Sequence, residues 1–276
     1  MTRIESIVHP TDFSEASAGA FAHALKIALV AKAALTVLHV PRSQEHKGSD
    51  QFPHVRRTLA DWGLMDANAP IEAIAEKTGV TVRKVEMEPQ APLEGIVHYL
   101  RTHAADLIVL ATEGREGVAR WLKGSVAEAL SRHSRAPTLF VPATARGFVD
   151  GRRGEVRLQH VLIPVNHDPP PAGAVAAIMD FAHLLGGIEA EERLLHVGSA
   201  APELTRPTAP QRRLPVALRK GDAVEAILDI AKDWPADLIG MPTAGHHGFL
   251  DALRGSTTER VLRRSPCPLL AVPVGR

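Results

Sequence analysis

The sequence is poor in cysteine and in aromatic residues. Its 276 residues include one cysteine, Cys267, which excludes an internal disulfide framework and a cluster of several cysteines around a metal ion. Aromatic residues make up only 4%, whereas Ala, Leu, Val and Ile are plentiful. This mixture favours helices packed on buried strands over an all-β sandwich.

Excess charge and long apolar segments are also missing. The formal net charge is +1 at pH 7, so we expect no bulk attraction to nucleic acid or to anionic membranes. No apolar run approaches the roughly 20 residues that span a bilayer. The opening "MTRIESIVHPTDFSE" lacks the charged and then apolar pattern of a secretory signal. We therefore expect a soluble cytoplasmic protein without membrane or nucleic-acid partners.

Several common catalytic and cofactor motifs are missing too. There is no GxxxxGK[ST] loop, no GxGxxG and no HExxH, so P-loop ATPases, dinucleotide dehydrogenases and zinc proteases lack support. Ser125 and Ser256 do not lie in a G-x-S-x-G elbow. His246 and His247 are adjacent and lack the spacing of metal ligands. We predict neither a catalytic residue nor a metal site from these patterns.

The chain instead contains the same pattern twice. Each half opens with a short apolar strand (residues 6–12 and 160–166) and continues into an Ala-rich helical pattern, with "FAH" at residues 21–23 and 181–183. Each half later has another apolar strand, "DLIVLAT" and "DLIGMPT". Apolar runs that alternate with helical patterns predict a parallel sheet covered on both faces. We predict two Rossmann-like α/β domains.

The spacing of the repeat locates a deletion in the second half. His39 and His196 are 157 positions apart, whereas Gly114 and Gly245 are 131 apart, so about 26 residues are missing between the second and third strands. In the first half this interval predicts a helix with its loops, and in the second the Pro-rich residues 198–211 predict a loop. We predict a first domain over residues 1–145, an exposed linker over 146–156, and a second domain over 157–276 that is shorter by one helix.

A glycine pattern follows the fourth strand of each half. A glycine, nine residues and a Gly-Ser pair recur at Gly114, Gly124 and Ser125, and at Gly245, Gly255 and Ser256. Each serine is followed three residues later by glutamate, which predicts a capped helix N-terminus at the carboxyl edge of the sheet. Glycines at such a position let phosphate oxygens reach backbone amides. Helix capping and a simple turn explain the same residues without a ligand.

Asp12 follows the first strand, directly after Pro10 and Thr11. Its carboxylate could accept hydrogen bonds from an adenine amino group or a ribose hydroxyl. Alternatively, Asp12 and Ser14 could cap the first helix. The residues alone leave both readings open.

Together these motifs resemble the universal stress protein family. The resemblance rests on an aspartate after the first strand and on the G-x2-G-x9-G-[S/T] signature after the fourth. "HPTDFSEAS" at residues 9–17 and "GSTTERVLRRSPCPLLAVP" at 255–273 resemble the family's usual opening and ending. The resemblance covers nearly the whole chain as two tandem copies. It implies five parallel strands per domain, an adenine nucleotide alpha hydrolase-like fold, and pairing of the domains through their last strands within one chain, with further homodimerisation open.

The resemblance also implies an adenine nucleotide, ATP or AMP, with or without Mg²⁺. The implied contacts in the first copy are Pro10, Thr11, Asp12, Val40, Ala111, Gly114, Arg115, Gly124, Ser125 and Val126. The weaker matches in the second copy are Val197, Gly245, Gly255, Ser256 and Thr257.

The two copies depart from the signature to different degrees. Its first glycine is Ala111 in the first copy and Pro242 in the second, and Pro242 lacks an amide donor. Asn166 replaces the aspartate in the second copy and carries no charge. We therefore predict a regulatory or stress-response protein that holds nucleotide mainly in its first domain. A slow ATPase and a dimerisation scaffold without nucleotide are the alternatives.

Overall fold

The computed structural model describes residues 3–43, 51–112, 136–206, 209–244 and 256–274. The strands of the first half are β1 (Ser6–Thr11), β2 (Ala34–His39), β3 (Val82–Glu86), β4 (Leu107–Thr112) and β5 (Thr138–Pro142). Those of the second half are β6 (His160–Pro164), β7 (Glu191–Val197), β8 (Thr205–Arg206), β9 (Ala209–Arg213), β10 (Val216–Arg219), β11 (Leu238–Ala244) and β12 (Leu269–Val274). The described helices are α1 (Glu15–Ala31), α2 (Val55–Asp61), α3 (Ala73–Thr78), α4 (Pro92–Thr102), α5 (Ala172–Gly186), α6 (Ala223–Asp233) and α7 (Thr257–Leu262), with a 3₁₀ turn at Gly187–Glu189.

All strands except β8 and β9 form one ten-stranded sheet, in the order β10-β7-β6-β11-β12-β5-β4-β1-β2-β3. Neighbours within each half are parallel, and β5 and β12 meet antiparallel at the centre. The predicted fold is therefore confirmed, with five parallel strands in each half. The last strands of the two halves pair within the chain, as the resemblance implied.

Side chains alternate between the two faces of the sheet and feed two apolar cores. Ile7 and Val109 enter the core beneath α1 and α5, whereas Val8 and Ile108 enter the core beneath α4, α6 and α7. This alternation follows from the two-residue period of a strand. Each core contains residues of both halves.

The interval between the second and third strands differs from the prediction in both halves. In the first half it contains two short helices, α2 and α3, rather than one helix. In the second half the predicted loop instead contains the antiparallel pair β8–β9. The second domain is thus the shorter one, but the difference is two short helices, and the prediction of a loop was wrong for residues 205–206 and 209–211.

The prediction of an exposed linker was also wrong in its central part. Phe148 and Val149 are buried, and the Phe148 ring meets His23 of α1 edge-on at 4.6 Å between centroids. The Val149 amide donates to His23 Nε2 at 3.3 Å. An apolar pair between the charged residues inserts under the helices, so composition alone misjudged this segment. The domain boundaries themselves remain predictions.

In the described part of the chain, no helix combines the length and the apolar character that crossing a membrane requires. The same residues contain no group of three or more His, Cys, Asp or Glu side chains that could hold a metal ion.

Candidate functional site

The connections of the sheet diverge at the carboxyl ends of β1 and β4, a position that we call the first crevice. These strands are neighbours, but the chain leaves β1 for β2 on one side and β4 for β5 on the other. In open α/β sheets, ligands bind where the connections diverge in this way. The second half repeats the arrangement with β6 and β11. Each half therefore offers one candidate site by topology.

Asp12 lies at the first crevice, immediately beyond β1, and is exposed. Its Oδ1 accepts hydrogen bonds from the Ser14 amide at 3.0 Å and the Ser14 hydroxyl at 2.6 Å. Ser14, rather than Asp12, is the N-cap of α1, since its Oγ accepts from the Ser17 amide at 3.2 Å. Asp12 thus orients the capping residue through one oxygen, and Oδ2 accepts no hydrogen bond from the described residues.

Thr11 and Pro10 form the buried end of β1 beneath Asp12. Thr11 Oγ1 accepts from the Phe13 amide at 3.1 Å and from the Ser17 hydroxyl at 2.8 Å. The Ser17 oxygen is also 3.4 Å from Nε2 of His9, a fully buried ring. These contacts hold the end of β1 against the first turn of α1 at the base of the crevice.

His39 is the contact that sequence reasoning missed. It ends β2, and its Nδ1 donates to the Thr11 carbonyl oxygen at 2.9 Å. Its ring stacks on Phe13 with 4.1 Å between centroids and an interplanar angle of 30°. Nε2 of the same ring is buried and has no hydrogen-bond partner among the described residues. The available signal was the His-Val pair that ends the second strand in both copies, His39-Val40 and His196-Val197.

Val40 and Ala111 lie on either side of β1. Val40 is buried and packs against the first turn of α4, where a Cβ added to Gly95 would come within 2.5 Å of Val40 Cγ1. Ala111 is half-buried in β4, and the hydroxyl of its neighbour Thr112 is buried with no hydrogen-bond partner in the part of the chain that the structure describes. Val40, Asp12 and Ala111 therefore end or follow three adjacent strands.

The second crevice has the same frame with different side chains. Exposed Asn166 follows β6 and turns its Oδ1 to the amide of His167 at 2.9 Å. Val197 ends β7 and is half-buried. Ser256 caps α7 by accepting from the Glu259 amide at 3.2 Å, which confirms the predicted helix start, and Thr257 is the exposed first residue of that helix.

The remaining predicted contacts lie outside the described residues. They are Gly114, Arg115, Gly124, Ser125, Val126, Gly245 and Gly255.

The first crevice contains described polar atoms that can accept hydrogen bonds from a ligand or donate them to it. Asp12 Oδ2 and, in its Nδ1–H tautomer, His39 Nε2 are acceptors, and the hydroxyls and the amino group of adenosine are donors. The Thr112 hydroxyl can donate or accept. A buried polar atom without a partner costs about 1–3 kcal/mol, so such atoms favour a polar guest.

The comparisons with known proteins agree on one family. The model of the "Universal stress protein family" matches residues 3–142 and 149–273. Universal stress protein MJ0531 of Methanocaldococcus jannaschii is 32% identical over 140 residues, which is 50% of this chain and 81% of that protein.

Two solved structures are similar as well. A universal stress protein from Archaeoglobus fulgidus is similar over 98% of this chain and 96% of its own, with a TM-score of 0.62 and 20% identity. A universal stress protein solved in complex with cAMP matches 51% of this chain and 98% of its own, at 29% identity and a TM-score of 0.33.

Proposed function

Since the chain belongs to the universal stress protein family, we propose that its first domain binds an adenine nucleotide, ATP or AMP, in a regulatory role in the stress response. The supporting observation is Asp12, a carboxylate at the divergence of β1 and β4 whose Oδ2 accepts no hydrogen bond from the described residues. The choice of an adenine nucleotide comes from the family resemblance.

Different residues of the crevice contact different parts of the nucleotide. Asp12 accepts a ribose hydroxyl or the adenine amino group, and the base lies beside Val40. The phosphates extend beyond Ala111 toward the glycine signature, whose residues lie outside the described part of the chain. Mg²⁺, where present, would offset the charge of the phosphates.

The two crevices differ in ways that favour the first. Asn166 carries no charge where Asp12 does, and its oxygen already accepts from the next amide. Pro242 in β11 has no amide hydrogen to offer a phosphate. We therefore assign nucleotide to the first domain and either no ligand or a different one to the second.

Calorimetry of ATP and AMP binding tests the proposal with a matched pair of variants. Asp12→Ala should weaken binding roughly 10- to 100-fold, because a hydrogen bond to a charged group contributes about 1.5–3 kcal/mol. Asn166→Ala, the equivalent change in the second domain, should leave the affinity unchanged. Neither binding heat nor any nucleotide released from the purified wild-type protein would contradict the proposal.

The same variants separate the alternatives. Sustained Mg²⁺-dependent ATP hydrolysis that Asp12→Ala abolishes would identify an ATPase instead. Substituting Gly124 with a bulky residue tests the scaffold: unchanged nucleotide occupancy and unchanged function in Gly124→Leu would favour it.

A further inference from the structure

We propose that His39 is a positioning residue for the first-domain site. It holds the turn of residues 11–14, which presents Asp12. The inference rests on the proposed function for its ligand, but its structural half can be measured without one. His39 makes two contacts with this turn, one through a hydrogen bond and one through its aromatic ring.

The first contact, the hydrogen bond, holds the end of β1 in place. Thr11 and His39 are register partners in the parallel pair β1–β2. A carbonyl oxygen only accepts, so the 2.9 Å contact between Thr11 O and His39 Nδ1 places the ring hydrogen on Nδ1. Only 7% of His39 is exposed, so water competes little for this bond.

The second contact, between aromatic rings, holds Phe13, the residue after Asp12. Its φ is 63°, a left-handed conformation that is unfavourable for an L-residue. The Phe13 ring stacks on His39 and meets Phe52 edge-on at 5.2 Å between centroids. Offset and edge-on aromatic pairs stabilise a structure beyond the effect of their buried area, which offsets this cost.

The other side-chain hydrogen bonds of the turn are local. In the described chain, Thr11, Asp12, Phe13 and Ser14 otherwise exchange side-chain hydrogen bonds only with one another and with Ser17. Local bonds can shape the turn but cannot fix its place relative to β2. His39 adds a side-chain connection to the backbone pairing of β1 with β2, and Val40, the next residue, borders the same crevice.

The second domain contains half of this arrangement. His196 Nδ1 donates to the Val165 carbonyl at 2.9 Å, as His39 does to Thr11. Phe13 and Lys32 are the non-glycine residues with positive φ in the described chain, so no left-handed residue follows β6. His167 meets His196 edge-on at 5.3 Å and is exposed. Beside Asn166, the left-handed residue with its stacked ring is replaced by the exposed, edge-on ring of His167, so His196 serves as a control for the arrangement of the first copy.

The experiment compares His39→Leu, His39→Asn and His196→Leu with the wild type by two measurements. Amide hydrogen exchange of Phe13 and Ser14 reports the turn, and calorimetry with ATP reports the site. Leucine keeps the bulk but removes the donor and the ring. The Nδ2 atom of asparagine is as many bonds from Cβ as the Nδ1 atom of histidine, so His39→Asn can restore the donor.

We expect His39→Leu to speed exchange of both amides about tenfold and to weaken ATP binding about tenfold. His39→Asn restores the donor but not the ring, so it should recover part of both losses, and His196→Leu should change neither. Matching far-UV circular dichroism spectra would show that the variants are folded.

Three results would overturn the inference. Unchanged exchange in His39→Leu would show that His39 does not hold the turn, whether or not ATP binds. Faster exchange with unchanged ATP affinity would leave His39 a structural residue only. Equal effects of His39→Leu and His39→Asn would show that the Nδ1 donor has no role.

A wild-type protein that binds no ATP would instead refute the proposed function, while the exchange data would still decide whether His39 holds the turn.

Discussion

Two histidines of the first copy are buried inside the protein. Burial lowers the pKa of His9 to about 4, although the hydrogen bond to the Val109 carbonyl and the charge of Asp12 act in the opposite direction. Burial likewise lowers the pKa of His23 to about 4, partly opposed by the hydrogen bond to the Gly19 carbonyl. Both rings are therefore uncharged in the folded protein at neutral pH, and His23 Nε2 is free to accept from the linker.

These two rings should make stability depend on pH. Between the ordinary pKa of 6.5 and about 4, the unfolded chain binds more protons than the folded one. The free energy of unfolding should therefore fall as pH falls through this window, by up to about 3 kcal/mol for each histidine. Urea unfolding at pH 7, 5.5 and 4.5 measures the slope.

The variant His23→Gln should remove about half of the slope, because glutamine does not titrate but can still accept from the Val149 amide. His98→Gln, at an exposed position, is the control and should keep the wild-type slope. An unchanged slope in His23→Gln would show that this ring does not carry the effect.

At the scale of single residues, the sequence predicts positions better than contacts. The place of Asp12 after a strand predicted that it would lie at the carboxyl edge of the sheet. The role of His39 was not predictable, because its partners Thr11 and Phe13 are brought to it only by the pairing of β1 with β2. The left-handed backbone of Phe13 also has no local signal, since glycine is the residue that normally marks it.

At the scale of elements, the segment between the domains is bound at several points. Trp62 Nε1, just after α2, donates to the Gly151 carbonyl at 3.0 Å. Arg146 forms an ion pair with Asp237, a buried carboxylate that also accepts from the Gln159 and His160 amides. Periodicity predicted the strands and the main helices but could not predict these contacts, since they join segments about 80 to 90 residues apart.

Gly154 should be the most sensitive glycine of this segment. Its φ is +66°, and an added Cβ would lie 2.4 Å from the ring of Trp62. Gly154→Ala combines backbone strain with overpacking, so we expect a loss of roughly 2–4 kcal/mol in the free energy of unfolding. At Gly151 the nearest atom to an added Cβ is 4.0 Å away, and Gly151→Ala should change stability by less than about 0.5 kcal/mol. Equal effects in urea unfolding would contradict the packing of Trp62 on this segment.

At the scale of the whole molecule, the repeat predicted two similar halves, and the family resemblance predicted how they join. The antiparallel meeting of β5 and β12 turns two sheets into one. Phe148 of the segment between the domains lies near both α1 and α5, close to His23 and to Phe181. Residues of both halves therefore share both cores. The sequence contains no direct sign of this sharing, since a buried apolar residue in a last strand looks the same whether it faces its own domain or the other.

Shared cores should make the two halves unfold together, although chains of this size often unfold in steps. Trp62 reports the first half and Trp234, which stacks on Arg193 at 4.1 Å, reports the second. Within a variant that retains only one of these tryptophans, the others replaced by phenylalanine, the fluorescence midpoint in urea should equal the midpoint measured by far-UV circular dichroism, which reports both halves. Two separate midpoints would show that the common sheet does not couple the halves.

The pairing of β5 with β12 can be weakened by a substitution in β5 alone. Leu139 of β5 and Leu270 of β12 are register partners and are almost completely buried. Leu139→Ala should cost about 2–5 kcal/mol through the lost contacts and the remaining cavity. If the halves are coupled, this change in the first half must lower the midpoint seen by Trp234 as much as that seen by Trp62. A shift confined to Trp62 would instead mean that each domain is stabilised by its own strands and that β5 and β12 only touch.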